Sequence, residues 1–79
     1  MLQVQFDPDA GAFLTGNHIN HQLFAQALQQ WINNAANQQN VPVGNNQPMN
    51  FTYNGNNYAL IVTHLMNQNV FMVNTIQLA

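Results

Sequence analysis

Lysine, arginine, glutamate, serine and cysteine are all missing from this 79-residue chain, and its only acids are Asp7 and Asp9. Charged side chains make up 3% of the residues, against about 25% in an average globular protein. Each absence closes off a class of function. Nucleic-acid affinity comes largely from Lys and Arg neutralising phosphates, so no nucleic-acid partner is expected. Anionic membrane surfaces are disfavoured for the same reason, and no apolar run approaches the ~18 residues of a membrane span. Without serine or cysteine, the commonest covalent nucleophiles are excluded. Without cysteine there are also no disulfides and no thiolate zinc site. The first residues hold no basic region ahead of an apolar run, so no secretory leader is expected. Gly11, Gly16, Gly44 and Gly55 are scattered and no P-loop lysine follows any of them, so no phosphate-cradling loop is expected.

Amides stand where the charges are missing. The chain carries 15 Asn and 11 Gln, a third of its length, yet 47% of its residues are hydrophobic. Disordered Asn/Gln-rich tracts lack such an apolar share and lack periodicity. Here the apolar residues are patterned, and the amides occupy the positions solvent-facing ions normally take. A single α+β domain over residues 1–79 is expected.

Leu2-Gln-Val-Gln-Phe6 alternates apolar and polar residues, a strand with one buried face. Asp7-Pro8-Asp9 ends it and reads as a turn, with an aspartate accepting backbone amides. Ala10–Gly16 fits a short strand or a loop. The strongest signal lies at 18–36, where Ile19, Leu23, Phe24, Ala27, Leu28, Trp31, Ile32 and Ala35 form one apolar stripe of helical period. Asn17 is the expected N-cap. Residues 37–50, punctuated by Pro42, Gly44 and Pro48, read as a polar surface crossover. Asn50-Phe51-Thr52 matches a glycosylation acceptor, a pattern common by chance.

Three strands follow. Asn54-Gly55 is a favoured type I′ hairpin dipeptide and pairs Tyr53 with Asn56 and Phe51 with Tyr58. A second turn near Asn67-Gln68 leads into Val70–Leu78. The expected fold is one amphipathic helix on a four-stranded, mostly antiparallel sheet in the order β-α-β-β-β. That layout is similar to small helix-on-sheet families such as cystatin-like and toxin-like ribonuclease folds, with no motif specific to one of them. If the second turn has two residues, one sheet face carries Ala59, Ile61, Thr63, Leu65, Val70, Met72, Ile76 and Leu78. The other carries Phe51, Tyr58, Leu60, Val62, His64, Phe71 and Val73. One helix covers only one such face, so either the sheet curls round the helix, Ala10–Gly16 folds over the back, or a second copy or a protein partner packs there, a homodimer being the expected partner. Tyr58–Met66 is an aggregation hazard, with no charged residue flanking it.

Asp7, Asp9, His18, His21 and His64 are the strong acid–base groups. His18 and His21, three apart at a helix start, share a face, and with Asp9 they form a candidate divalent-metal site. Their plain reading is solvent exposure, and for His64 it is a half-buried position opposite Phe71. No cofactor is expected. The leading expectation is a non-enzymatic, charge-depleted engineered domain, its ionisable surface replaced by Asn and Gln and its fold held by apolar packing. The second is a protein-interaction module or homodimer, and the third a metal-binding or hydrolase-like domain using the Asp and His residues.

Overall fold

A computed structural model describes residues 1–79. The elements run β1 (Gln3–Phe6), α1 (Pro8–Gly16), α2 (His21–Ile32), a 3-10 helix (Ala35–Asn40), β2 (Gly44–Tyr53), β3 (Asn56–His64) and β4 (Val70–Leu78). The strands form one sheet in the order β1-β4-β3-β2. The domain is α+β as expected, with two corrections. Its sheet is mixed, since β1 pairs with β4 in parallel while β2–β3 and β3–β4 are antiparallel. Its helical layer has two α-helices and a 3-10 piece instead of one long helix. The helical crossover from β1 to β2 is the kind of connection that lets strands run in the same direction.

The single helix expected over 18–36 breaks at both ends for local reasons. Asn20, not Asn17, caps α2, accepting from the Leu23 N–H at 2.9 Å. Asn17 instead closes α1, where its side chain donates to the Phe13 carbonyl at 2.8 Å. Between them His18 takes φ 57, a left-handed conformation that stops helix propagation. At the far end Asn34 accepts from Ala36 N–H and starts the 3-10 helix. Phe24, Leu28 and Ile32 are fully buried, while Leu23 is 54% exposed and Ala35 lies outside α2. The working stripe is therefore narrower than the sequence suggests.

Asp7-Pro8-Asp9 ends β1 by starting a helix. Asp7 holds the extended N-cap backbone but makes no side-chain cap bond, and Pro8 opens α1, where its missing N–H costs nothing. The segment expected as strand or loop is thus helical despite Gly11 and Gly16. Burial of Ala10 and Leu14, four apart, against the core outweighs their weak propensity.

The hairpin at Asn54-Gly55 forms as expected, with φ 50 and 82 at the two turn residues and the pairs Tyr53↔Asn56 and Phe51↔Tyr58. A Cβ at Gly55 would meet nothing within 4 Å, so the cost of Gly55→Ala is purely one of backbone conformation. We expect a loss of about 1 kcal/mol, read as a lower urea midpoint at unchanged slope. No loss would show that the turn relaxes to another type.

The polar crossover expected over 37–50 is shorter, because β2 begins at Gly44. Pro48 is compatible with this because β2 is an edge strand. Tyr53 and Asn56 close the hairpin as a hydrogen-bonded pair, so alternate residues Phe51, Met49 and Gln47 also bond toward β3. Pro48, Asn50 and Thr52 turn their backbone groups outward, and Pro48 removes one donor from the free edge.

Two irregularities flank β3 at one level. Asn45 and Asn46 stand opposite Thr63, and Asn74 is an extra residue between the pairs Val62↔Val73 and Ile61↔Thr75. The bulge at Asn74 reverses the facing of the rest of β4. Ile76, expected on the far face, is thereby buried with Tyr58, Leu60, Val62, Phe71 and Val73. Asn74 Nδ2 donates to Asn46 Oδ1 at 3.2 Å, and the Asn46 N–H donates to Thr63 Oγ1 at 3.2 Å.

The core comprises thirteen residues and includes no charged side chain. Phe24 is its centre. Its ring lies 5.1 Å from Tyr53, 5.5 Å from Phe51, 5.8 Å from Tyr58 and 6.0 Å from Phe6. The two α-helices lie on this face, and no helix covers the opposite one.

Candidate functional site

The ionisable side chains take separate places. Asp7 and Asp9 lie at the positive end of the α1 dipole, where carboxylates are favoured. That gives a structural reason for acids at these two positions, although the expected bonds from backbone amides to an Asp side chain do not form. His18 is exposed on the link between the helices, so it does not share a helical face with His21. His21 Nε2 shares a 2.9 Å hydrogen bond with Thr15 Oγ1 and sets its ring edge-on to Phe6 at 6.2 Å. His64 is half-buried and 5.8 Å from the Phe71 ring, the neighbour expected from the strand pairing. Its Nδ1 donates to the Pro42 carbonyl at 3.2 Å. No group of three or more His, Asp or Glu side chains is arranged to hold a metal ion. The zinc reading of Asp9, His18 and His21 gains no support from this placement.

The amides hold the more organised arrangement. Asn33, at the C-cap of α2, accepts from the Leu2 N–H at 2.9 Å and donates to the Leu2 carbonyl at 3.0 Å. This reciprocal pair is the pattern a neighbouring strand would make. Asn33 also donates to the Gln29 carbonyl at 2.9 Å, and Gln29 Oε1 accepts from the Val4 N–H at 3.1 Å. These two side chains thus occupy the Leu2 N–H and C=O and the Val4 N–H on the outer edge of β1, which hinders pairing with another strand there. This role is not legible in the sequence, because Gln29 and Asn33 look like ordinary solvent-facing positions. Their spacing of four residues, one turn of helix, is the only local signal.

The second feature is the uncovered sheet face. At its centre Ala59, Ile61, Thr63, Val70 and Met72 are half-buried by one another. Around them stand Gln3, Gln5, Asn50, Thr52, Thr75 and Gln77, all exposed and uncharged. The apolar patch is smaller than expected, since the Asn74 bulge takes Ile76 and Leu78 to the other side. The hazardous segment Tyr58–Met66 has its strand portion between β2 and β4, so its backbone is paired on both sides.

No helix is long and apolar enough to cross a membrane. Comparison with protein-family models, curated proteins and solved structures finds no match to this chain.

Proposed function

We propose that this chain is a non-enzymatic, charge-depleted engineered domain, in which Asn and Gln replace the ionisable surface and apolar packing holds the fold. The observation that carries this reading is the division of labour among side chains. The core includes no charged group, while amides cap α2 and the 3-10 helix and bond to the β1 edge. Those are tasks that need hydrogen bonds and no charge. Surface ion pairs contribute only about 0–1 kcal/mol each, so a fold can do without them.

The test is salt dependence. Urea unfolding midpoints are expected to agree, within error, from about 0.02 to about 0.5 M NaCl, the range in which screening is the main effect of salt. A steep change would mean that the few remaining charges carry stability, and would end this reading.

A second reading is favoured by the uncovered sheet face: self-association through Ala59, Ile61, Val70 and Met72. Three strands of nine or ten residues and the four-residue β1, spaced about 4.8 Å apart, give a face on the order of 500 Å² per copy. Two such faces bury about 1,000 Å², the lower limit for a specific interface. No residue named on this face can carry charge, so two copies meet without repulsion. With a net charge of −2, the chain has little long-range repulsion to oppose contact. Sedimentation from about 5 μM to about 500 μM is expected to show a weak monomer–dimer equilibrium. Ile61→Gln with Met72→Gln is expected to abolish it while leaving circular dichroism unchanged. A monomer throughout that range, or a dimer indifferent to these substitutions, would exclude this interface.

A further inference from the structure

At one end of the sheet lies a recess of about 300 Å³, between the α1–α2 link and the β2–β3 hairpin. Asn17 and Ile19 border it on one side, Tyr53, Asn54 and Asn56 on the other, with Tyr58 and Leu78 between. Its polar groups are largely unspent. Asn54 and Asn56 make no side-chain hydrogen bond within the chain, and Asn17 commits only its Nδ2, to the Phe13 carbonyl. The informative residue is Tyr58. It is 4% exposed, its ring edge-on to Phe13 and Phe24 at 6.0 and 5.8 Å. Its hydroxyl has no partner in the chain, yet it is not sealed in the interior, where Asn74 Oδ1 is the one orphaned side-chain atom. Buried tyrosine hydroxyls ordinarily find a partner. Tyr58 lines the recess, and its unpartnered hydroxyl is the polar side-chain group it can offer there.

The chemistry of the lining defines what fits. Neither a cation nor a carboxylate lines the recess, so an ionic ligand finds no counter-charge there. Asn amides and Tyr hydroxyls both donate and accept, which suits a ligand rich in hydroxyl groups. Ile19 and Leu78 offer an aliphatic surface to a C–H face. The ring of Tyr58 is covered by the core, and Tyr53, packed on Phe24 at 5.1 Å, is the one half-exposed ring of the lining. A volume of about 300 Å³ is at the small end of ligand pockets. We propose that this recess binds a single neutral sugar ring, with hydroxyls on Tyr58, Asn54 and Asn56 and a C–H face on Ile19 and Leu78. This site is independent of the origin of the chain and of the sheet-face interface.

Amide NMR titration with methyl pyranosides of the glucose, galactose and mannose series tests it, with adenosine as the planar comparison. At least one pyranoside is expected to give saturable shifts confined to residues 17–19, 53–58 and 78. A Kd on the order of 1 mM corresponds to about 4 kcal/mol. Tyr58→Phe keeps the ring and the core, and is expected to weaken binding by about tenfold. Asn56→Ala, outside the turn dipeptide, serves as a second variant and is expected to weaken it as well. The site is overturned if no pyranoside gives saturable shifts, if adenosine alone does, or if both variants bind like the parent.

Discussion

Phe24→Ala is expected to remove most of the stability of this domain. Phe24 is fully buried and meets four other aromatic rings, those of Phe6, Phe51, Tyr53 and Tyr58, within about 6 Å. Truncating a buried Phe costs about 3–5 kcal/mol, and edge-on aromatic pairs add about 0.5–1.5 kcal/mol each beyond the area they bury. A domain of this size has about 4–12 kcal/mol in all. The expected result is a chain whose cooperative urea transition is lost or moved to below about 1 M. Leu23→Ala, one position away and 54% exposed, is expected to change stability by about 0.5 kcal/mol or less. A cost under about 1 kcal/mol for Phe24→Ala would show that the aromatic cluster does not carry the core.

Asn33→Ala is expected to have the next largest effect, through a different mechanism. It removes two bonds to the backbone of Leu2 and one to the Gln29 carbonyl. Each is worth about 0.5–1.5 kcal/mol net, and the unpaired Leu2 groups add a desolvation cost. We expect a total of about 2–3 kcal/mol. Native-state hydrogen exchange gives a more specific readout than the midpoint. β1 is held on its other side by β4, so the edge opens locally while β2–β3 stays paired. The Leu2 amide is expected to exchange at least tenfold faster in Asn33→Ala, and the Val4 amide likewise in Gln29→Ala. Asn33→Asp keeps an acceptor for Leu2 N–H but loses both donated bonds. Its protection of Leu2 is expected to fall between that of the parent and that of the alanine variant. Equal acceleration of β2 and β3 amides would mean that Asn33 supports the whole fold and not this edge.

The features visible in the sequence were those set by short-range rules. The alternation of Leu2, Val4 and Phe6 marked β1, and the dipeptide Asn54-Gly55 fixed a hairpin register that the structure reproduces pair for pair. The period of Phe24, Leu28 and Ile32 marked the buried stripe of α2. The misread segments are those where two local signals compete. Asp7-Pro8-Asp9 is chemically both a turn and a helix start. Gly11, Thr15 and Gly16 disfavour helix, and only the burial of Ala10 and Leu14 against the sheet decides otherwise. Pro48 with its polar neighbours reads as a loop until β2 is known to be an edge, where a missing donor is tolerated.

The same holds for the candidate sites. The pairing across the hairpin brings Tyr53 and Asn56 together from sequence alone, but Asn17 and Ile19 reach them only through the packing of the α1–α2 link. Likewise, nothing near Asn33 in the chain indicates that it meets Leu2, thirty-one residues away.

By itself the sequence determined what this protein excludes and what it is built from: no fixed cation, no thiol, one apolar core and an amide surface. It also determined most strands and the main helix, because periodicity and turn chemistry act over a few residues. Only the tertiary structure decided that β1 runs parallel to β4, that one inserted residue at Asn74 turns Ile76 inward, and which amides hold the backbone instead of water. Those outcomes depend on which distant surfaces meet, and burial and hydrogen-bond satisfaction act on the assembled chain.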